Sequence, residues 1–353
     1  MGPHPAVAEV RHAVRVSLAG LSPGDVVLVA CSGGADSLAL AAAVAFEAPK
    51  AGLMAGGITV DHGLQPGSAE QAAQVIAVLN RLGLSPVQSV AVTVPRPGDT
   101  GGYPGPEAAA RGARYAALDQ AAERAGAWIT LGHTLDDQAE TVLLGLGRGS
   151  GARSLAGMAL ASGRYLRPLL GIRRVQTQAA CEAEGLQPWT DPHNSDPAYA
   201  RARVRRLMPA LEDALGPGVA LALARTADLL RADADALDAL AATETAQLGG
   251  TTAAQADGWP ADALARLPEA IRHRLLRSAA LASGCPAGAL SQRHIVSLDE
   301  LVTCWHGQRW ADLPGGVRCL RRYGRLLFTK PGDPGIAPGA NTVARSEDLG
   351  GRE

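Results

Sequence analysis

Val26-Val27-Leu28-Val29-Ala30-Cys31 runs directly into Ser32-Gly33-Gly34-Ala35-Asp36-Ser37, and that into Leu38-Ala39-Leu40-Ala41-Ala42-Ala43-Val44. A short β-branched apolar run, a glycine turn and a leucine-alanine run read as strand, turn and helix. The two glycines let the backbone pass close to a ligand. The hydroxyls of Ser32 and Ser37 bracket amides at a helix N-terminus. Free amides and the helix dipole make such a turn an anion site, the dipole alone contributing about 0.3–1 kcal/mol. The phosphate lysine of a Walker loop is absent, since no GKS or GKT ending follows the glycines. Ser32, Gly33, Gly34, Ala35, Asp36 and Ser37 are therefore expected to form a short phosphate cradle, with Asp36 as a carboxylate able to hold magnesium. A glycine turn can also be a bare connector, but the serines and the aspartate favour the ligand reading.

Outward from this stretch the pattern repeats. Residues 5–20 read as a short amphipathic helix, and Gly57-Ile58-Thr59-Val60 as a strand ending in Asp61-His62-Gly63. Ser68 and Gln71 have capping-box spacing for a helix through Leu82. A strand at Val87–Val92, a glycine-proline loop from Pro95 to Pro106, a helix from Glu107 to Ala125 and a strand at Ala127–Leu131 follow. A further helix covers Asp136 to Leu146. Strands alternating with helices at this spacing predict an α/β fold with a doubly wound, mostly parallel sheet. After Pro188 the pattern changes: 201–245 and 260–284 read as helical, and Leu313-Pro314-Gly315-Gly316 as the turn of a hairpin within 309–328. The expected organisation is a nucleotide-binding catalytic domain over 1–210, a smaller, mainly helical C-terminal domain over 211–330, and a flexible tail over 331–353.

At 353 residues the chain is long enough for two cores. Its net charge of −1 advertises no global affinity for nucleic acid, so any RNA footprint must be local. Lysine occurs only at Lys50 and Lys330, which puts the basic character on arginine. Cys31, Cys181, Cys285, Cys304 and Cys319 are odd in number and form no CxxC pair, so neither a disulfide framework nor a zinc knuckle is expected. No leader pattern and no long uncharged apolar stretch is present, which makes a cytoplasmic, membrane-free protein the expectation.

Three polar clusters follow three strands: Ser32–Ser37, Asp61-His62-Gly63, and Gly132-His133-Thr134-Leu135-Asp136-Asp137. The carboxyl ends of strands in an open α/β sheet line one crevice, so residues a hundred positions apart are expected to share a pocket. Asp136 and Asp137 also suit the first turn of a helix as plain caps, with His133 as a satisfied loop histidine. The functional alternative assigns Asp36 and Asp137 to magnesium, and Asp61 and His62 to the nucleotide. In that alternative His133, with an ordinary pKa near 6.5, steadies a phosphate or substrate oxygen, or takes a proton. Glu107, Arg111 and Arg114 lie on one helical face, either a solvated surface or a grip on phosphates or RNA. Arg148-Gly149-Ser150-Gly151 is a further weak anion loop. Arg201, Arg203, Arg205 and Arg206 either track RNA phosphates or form an exposed helix face, and Arg318, Arg321, Arg322 and Arg325 carry the same ambiguity.

The Ser-Gly-Gly-x-Asp-Ser cradle resembles that of the PP-loop ATP pyrophosphatases. The blocks CSGGADSLAL (31–40), TVDHGL (59–64), EAAARGARYAAL (107–118), GHTLDDQAETVLLGLGRGSGARSLAGM (132–158), RPLL (167–170) and DPHNSDPAYARARVRRLMPAL (191–211) resemble the tRNA(Ile)-lysidine synthetases in particular. His306-Gly307-Gln308 and Asp312–Gly316 resemble the short C-terminal form of that family. Ala202 departs from it, standing where many members carry asparagine. The resemblance implies ATP and Mg²⁺, a tRNA(Ile) with a CAU anticodon, and free L-lysine. ATP would adenylate the C2 carbonyl oxygen of the wobble cytidine, and the lysine amine would then attack C2 and displace AMP to give lysidine, with catalytic roles for His133, Asp136, Asp137 and Arg111. A PP-loop tRNA cytidine thiolase, a small-molecule AMP-forming ligase and a non-catalytic nucleotide sensor are the alternatives, and homodimer formation is left open.

Overall fold

The computed structural model describes residues 2–63, 67–95, 106–149, 151–190, 196, 198–308 and 310–330. Most of the glycine-proline loop, Ser150 of the weak anion loop, the 191–195 turn and the 331–353 tail lie outside them. The chain divides into two compact units, Met1–Ala232 and Asp233–Glu353.

In the first unit α1 (Pro5–Leu18) precedes β1 (Val26–Ala30), α2 (Ala35–Glu47), β2 (Met54–Asp61), α3 (Ser68–Arg81) and β3 (Val87–Ala91). Next come α4 (Pro106–Ala125), β4 (Trp128–Leu131), α5 (Leu135–Gly147), α6 (Ala152–Leu155), β5 (Ala161–Ser162) and β6 (Tyr165–Leu166). Then follow α7 (Arg174–Ala183), α8 (Ala200–Leu215) and α9 (Val219–Gln247), whose residues are divided between the two units. The strand order is β3-β2-β1-β4-β6-β5, parallel apart from the β5–β6 edge pair.

β1 explains why this sheet forms. Val27 and Val29 bury into a layer with Val14, Leu38 and Leu40, while Leu28 faces the opposite layer with Ile58, Ile129 and Leu118. A strand covered on both faces needs apolar residues at every position, hence its continuous apolar run. Each such side chain contributes about 1.5–3 kcal/mol on burial, so the cradle hangs between two firmly held elements. The chain winds outward from β1 in both directions, to β2 on one side and β4 on the other. This reversal opens a crevice at the carboxyl ends of β1 and β4.

Several expectations are corrected. α3 has no capping box: Gly67, at φ +81°, is its N-cap, and Ser68 sits one residue inside the helix. The helical stretch 201–245 is broken at Gly216-Pro217-Gly218, where α8 and α9 meet at 99°. The first unit extends past residue 210 because Ala220 and Ala224 of α9 pack with Leu135 and Ala139 of α5.

The second unit holds α10 (Gly250–Ala256), β7 (Trp259–Pro260), α11 (Ala261–Ala265), α12 (Glu269–Ala282), α13 (Gln292–Thr303), β8 (Trp310–Asp312), β9 (Arg318–Arg322) and β10 (Arg325–Thr329). The stretch 260–284 is thus two helices, interrupted at Pro268, the N-cap of α12. An antiparallel sheet in the order β7-β10-β9-β8 packs Trp259, Leu326 and Phe328 against Leu275 and Leu298. The expected hairpin is β8–β9. A second tight turn at Tyr323-Gly324, both at positive φ, joins β9 to β10, as a two-residue loop of the primed type requires. Arg321 donates to the carbonyls of Leu301 and Val302, and Arg325 to those of Asp257 and Gly258. These two arginines of the second basic patch therefore brace the unit's own backbone. Among the described residues no single helix is long and apolar enough to cross a membrane.

Candidate active site

The cradle is laced by one hydroxyl. Ser37 Oγ accepts from the Ser32 amide at 3.2 Å and donates to the Gly34 carbonyl at 2.9 Å, with Ser32 Oγ 3.3 Å away. Gly33 lies at φ +85°, and the Trp189 amide donates to its carbonyl at 2.9 Å. Gly34 is the N-cap of α2 and offers no side chain to its amides, so the first turn of α2 opens toward the crevice without an internal cap. This is the arrangement in which a helix N-terminus takes an anion.

Across the crevice α5 starts with a capping box. Thr134 Oγ1 accepts from the Asp137 amide, and Asp137 Oδ2 accepts from the Thr134 amide at 2.8 Å and from Thr134 Oγ1 at 2.9 Å. The cap reading of Asp137 is therefore correct, but it uses one oxygen only. Oδ1 accepts from Arg174 Nη2 at 2.8 Å. Burial pushes the Asp137 carboxyl upward, yet the Arg174 charge and the Thr134 amide outweigh it and hold the group below the ordinary carboxylate range.

Asp136 has a different job. Its Oδ2 accepts from the Arg174 amide at 2.7 Å and its Oδ1 faces Arg173 Nε at 3.2 Å, so it tethers the N-terminus of α7. These contacts give Asp136 a structural task at the start of α7. Asp36 accepts from Thr177 Oγ1 at 2.5 Å and pairs with Arg174 Nε at 3.5 Å. Burial is the main force raising the Asp36 carboxyl, with the Asp137 charge adding to it. The first turn of α7 thereby reaches both the cradle and α5.

Glu140 is 1% exposed, one helical turn after Asp136, and accepts from Arg205 Nε at 2.8 Å, with Arg174 at 3.5 Å. Arg205 also approaches Asp137 at 3.8 Å. Of the four arginines for which an RNA contact or an exposed helix face was left open, Arg205 is the one tied to the buried carboxylate of Glu140. Arg203 donates to the Ala198 carbonyl just before its own helix, while Arg201 is half-buried and Arg206 exposed. Ala202, the departure from the family pattern, is buried in α8.

His133 precedes the α5 cap. Its Nδ1 is sealed from solvent with no hydrogen-bond partner among the described residues. Burial drives its pKa down to about 3, with Asp137 opposing and Arg167, Arg111 and Arg114 reinforcing. His133 is therefore a neutral imidazole near pH 7 and a weak proton acceptor, so of its two expected roles the steadying of a phosphate or substrate oxygen suits it better. The same interactions place Arg111 and Arg114 of α4 within electrostatic reach of His133, and both guanidinia lie over the Tyr115 ring. Asp61 ends β2 one strand away from the cradle, where its Oδ1 accepts from the Gly63 amide at 2.9 Å and His62 follows it. The cradle, Asp137, His133 and the arginines of α4 thus meet at one sheet edge, with Asp61 and His62 beside them.

Sequence reasoning missed Arg174 and Thr177 because α7 was not foreseen. The signal available was modest: Thr177 and Cys181 recur at helical spacing after the RPLL block, on the face that is buried here.

The PP-loop domain family matches residues 9–211, and the TilS substrate binding domain family matches residues 260–327. The tRNA(Ile)-lysidine synthase of Thermobifida fusca is 59% identical over 331 residues, covering 93% of this chain and 99% of the relative. Its counterpart in Streptomyces coelicolor is 53% identical over 359 residues, with the same coverage of both chains. Among solved structures, the U34-tRNA thiolase NcsA of Methanococcus maripaludis aligns with a TM-score of 0.52 at 20% identity. It covers 64% of this chain and 80% of that one, a likeness of fold alone. A cradle, a crevice and two matched domains, with relatives this similar over nearly their full length, place the chain in the tRNA(Ile)-lysidine synthase family.

Proposed function

We propose that this protein joins the side-chain amine of free L-lysine to C2 of the wobble cytidine in a CAU-anticodon tRNA(Ile), using ATP and releasing pyrophosphate and AMP. The observation that carries the reading is the pairing, across one crevice, of an uncapped helix N-terminus at Gly34 with an ionised carboxylate at Asp137. The first feature suits a phosphate and the second suits an amine.

In the first step the C2 carbonyl oxygen attacks the α-phosphorus of ATP, and the bond to the β-phosphate breaks. The cradle amides receive the departing pyrophosphate, where charge develops. Asp36 and Asp137 lie close enough for one charge to perturb the other. Two such carboxylates suit magnesium, which takes few protein oxygens beside phosphate and water. A bound magnesium ion supplies neutralisation of phosphate charge. His133, neutral and with Nδ1 unpaired, is suited to a hydrogen bond with a substrate oxygen, while Arg111 supplies positive charge beside it.

In the second step the lysine nitrogen bonds to C2 and the bond to the AMP oxygen breaks. The amine becomes strongly acidic as that bond forms, and Asp137 is the group placed to accept its proton. Arg114, Arg201, Arg203 and Arg206 are proposed as RNA-phosphate contacts, and the domain match over 260–327 supports a further RNA contact from the second unit.

Incubation with ATP and labelled lysine, with and without the tRNA, tests the reading. Label in RNA only when ATP is present supports it, and label in no product refutes it. Asp137→Ala is expected to abolish lysine transfer; wild-type transfer by that variant removes the assignment to Asp137.

A further inference from the structure

We infer that Arg174 is a positioning residue that fixes the spacing between the nucleotide cradle and the carboxylates of α5. The inference rests on the lysidine reading of the same site. Arg174 comes from neither cluster. It stands in the first turn of α7, and its guanidinium reaches Asp36 behind the cradle through Nε at 3.5 Å, and Asp137 and Glu140 on α5 through Nη2 at 2.8 and 3.5 Å. Its own amide is held by Asp136, itself on α5, and Thr177 of the same helical turn holds Asp36. Five side-chain and backbone contacts therefore converge on one turn from the two strand ends that form the crevice.

Three carboxylates gathered this closely repel one another. A planar fork with fixed N–H directions holds them in one arrangement, whereas an ammonium is a point charge with no such fork. Arg205 does not duplicate this role, because it bonds to Glu140 at 2.8 Å, lies 3.8 Å from Asp137, and no contact joins it to Asp36 among the described residues. Arg174 is the guanidinium that spans both sides. The first step needs the C2 oxygen in line with the α-phosphorus held by the cradle, and the second needs the amine held by the α5 carboxylates within reach of the same C2. An error of about 1 Å in the spacing of cradle and carboxylates therefore costs roughly a hundredfold in rate.

The test compares full-length wild type, R174A and R174K. Once the wild type forms lysidine, R174A is expected to lose about a hundredfold in kcat while KM for ATP shifts less than about threefold, because the hydrogen bonds among Ser32, Gly34 and Ser37 that shape the phosphate turn do not involve Arg174. R174K, restoring charge without the fork, is expected to fall between the two. Added guanidinium ion at non-denaturing concentration is expected to recover part of the R174A rate and none of the R174K rate. A folded R174A that turns over within about twofold of wild type overturns the inference, as does a loss that appears wholly in KM or that guanidinium does not relieve. A crystal structure of R174A tests the same claim without the reaction. Displacement of the Asp36 and Asp137 carboxylates from their present rotamers is expected, and carboxylates that stay in place overturn the inference. A wild-type protein that forms no lysidine refutes the parent reading, and the crystal structure then still decides the positioning claim.

Discussion

The two glycines of the cradle have different reasons to be glycine, and substituting each by alanine separates folding from ligand approach. At Gly33 the backbone is left-handed, φ +85°, and an added Cβ would lie 2.8 Å from both Gln71 Nε2 and Val75 Cγ2. The glutamine terminus can swing away. Val75 cannot, since it is 2% exposed within the main apolar layer. Left-handed strain of about 1–2 kcal/mol adds to overpacking of about 1–3 kcal/mol. Gly33→Ala is therefore expected to destabilise the first unit by about 2–5 kcal/mol, a fall in Tm of roughly 5–15 °C for a unit of this size. At Gly34 φ is −75°, and an added Cβ would meet Ser32 Oγ at 3.7 Å and the Trp189 carbonyl at 3.9 Å, both ordinary contacts. Gly34→Ala is expected to melt within about 2 °C of wild type. Its methyl instead stands at the mouth of the open amides, so ATP binding should weaken by about tenfold or more, the cost of a phosphate held off its donors. Calorimetric melting and ATP titration of both variants decide the matter. A Gly33→Ala protein that melts with wild type, or a Gly34→Ala protein that binds ATP normally, refutes this division of labour.

His133 gives a pH signature. Its folded pKa, about 3, lies below the ordinary 6.5 of the unfolded chain, so folding favours the neutral ring. That contribution is complete above pH 6.5 and is lost as pH falls toward 3. His133→Gln, which cannot take up the proton, is expected to flatten this limb in melting curves taken between pH 7 and 4; an unchanged limb refutes the assignment. Glu140→Gln removes the charge that Arg205 and Arg174 share while leaving an amide oxygen that can still accept, and is expected to cost about 1–3 kcal/mol, read by denaturant unfolding. Arg205→Ala should lower kcat through Glu140 and Asp137. Arg206→Ala should instead raise KM for tRNA and reduce the salt slope of binding by about one unit; equal effects in both variants would contradict the separate roles of the two arginines.

How much of this was legible in the chain follows from the range over which each signal acts. The cradle was readable because every part of it lies within twenty residues, with an apolar run that only a doubly covered strand tolerates and glycines where the turn needs them. The meeting of Ser32–Ser37 with His133 and Asp137 was readable without local contact, because sheet topology alone brings the carboxyl ends of neighbouring parallel strands together. Individual side-chain roles were not. Asp136 and Asp137 are adjacent and chemically identical, yet one tethers α7 and the other faces Arg174, a difference set by a 100° step around the helix and by a partner 37 positions away. Arg205 and Arg206 differ in the same way: burial of Glu140 fixes one, while the other stays exposed. Charge patterns along a chain report which residues will want partners, and the fold decides which partners arrive. The partners of Asp136 sit on α7, the helix whose sequence announces itself least, while that of Arg205 sits on α5, 65 positions back along the chain.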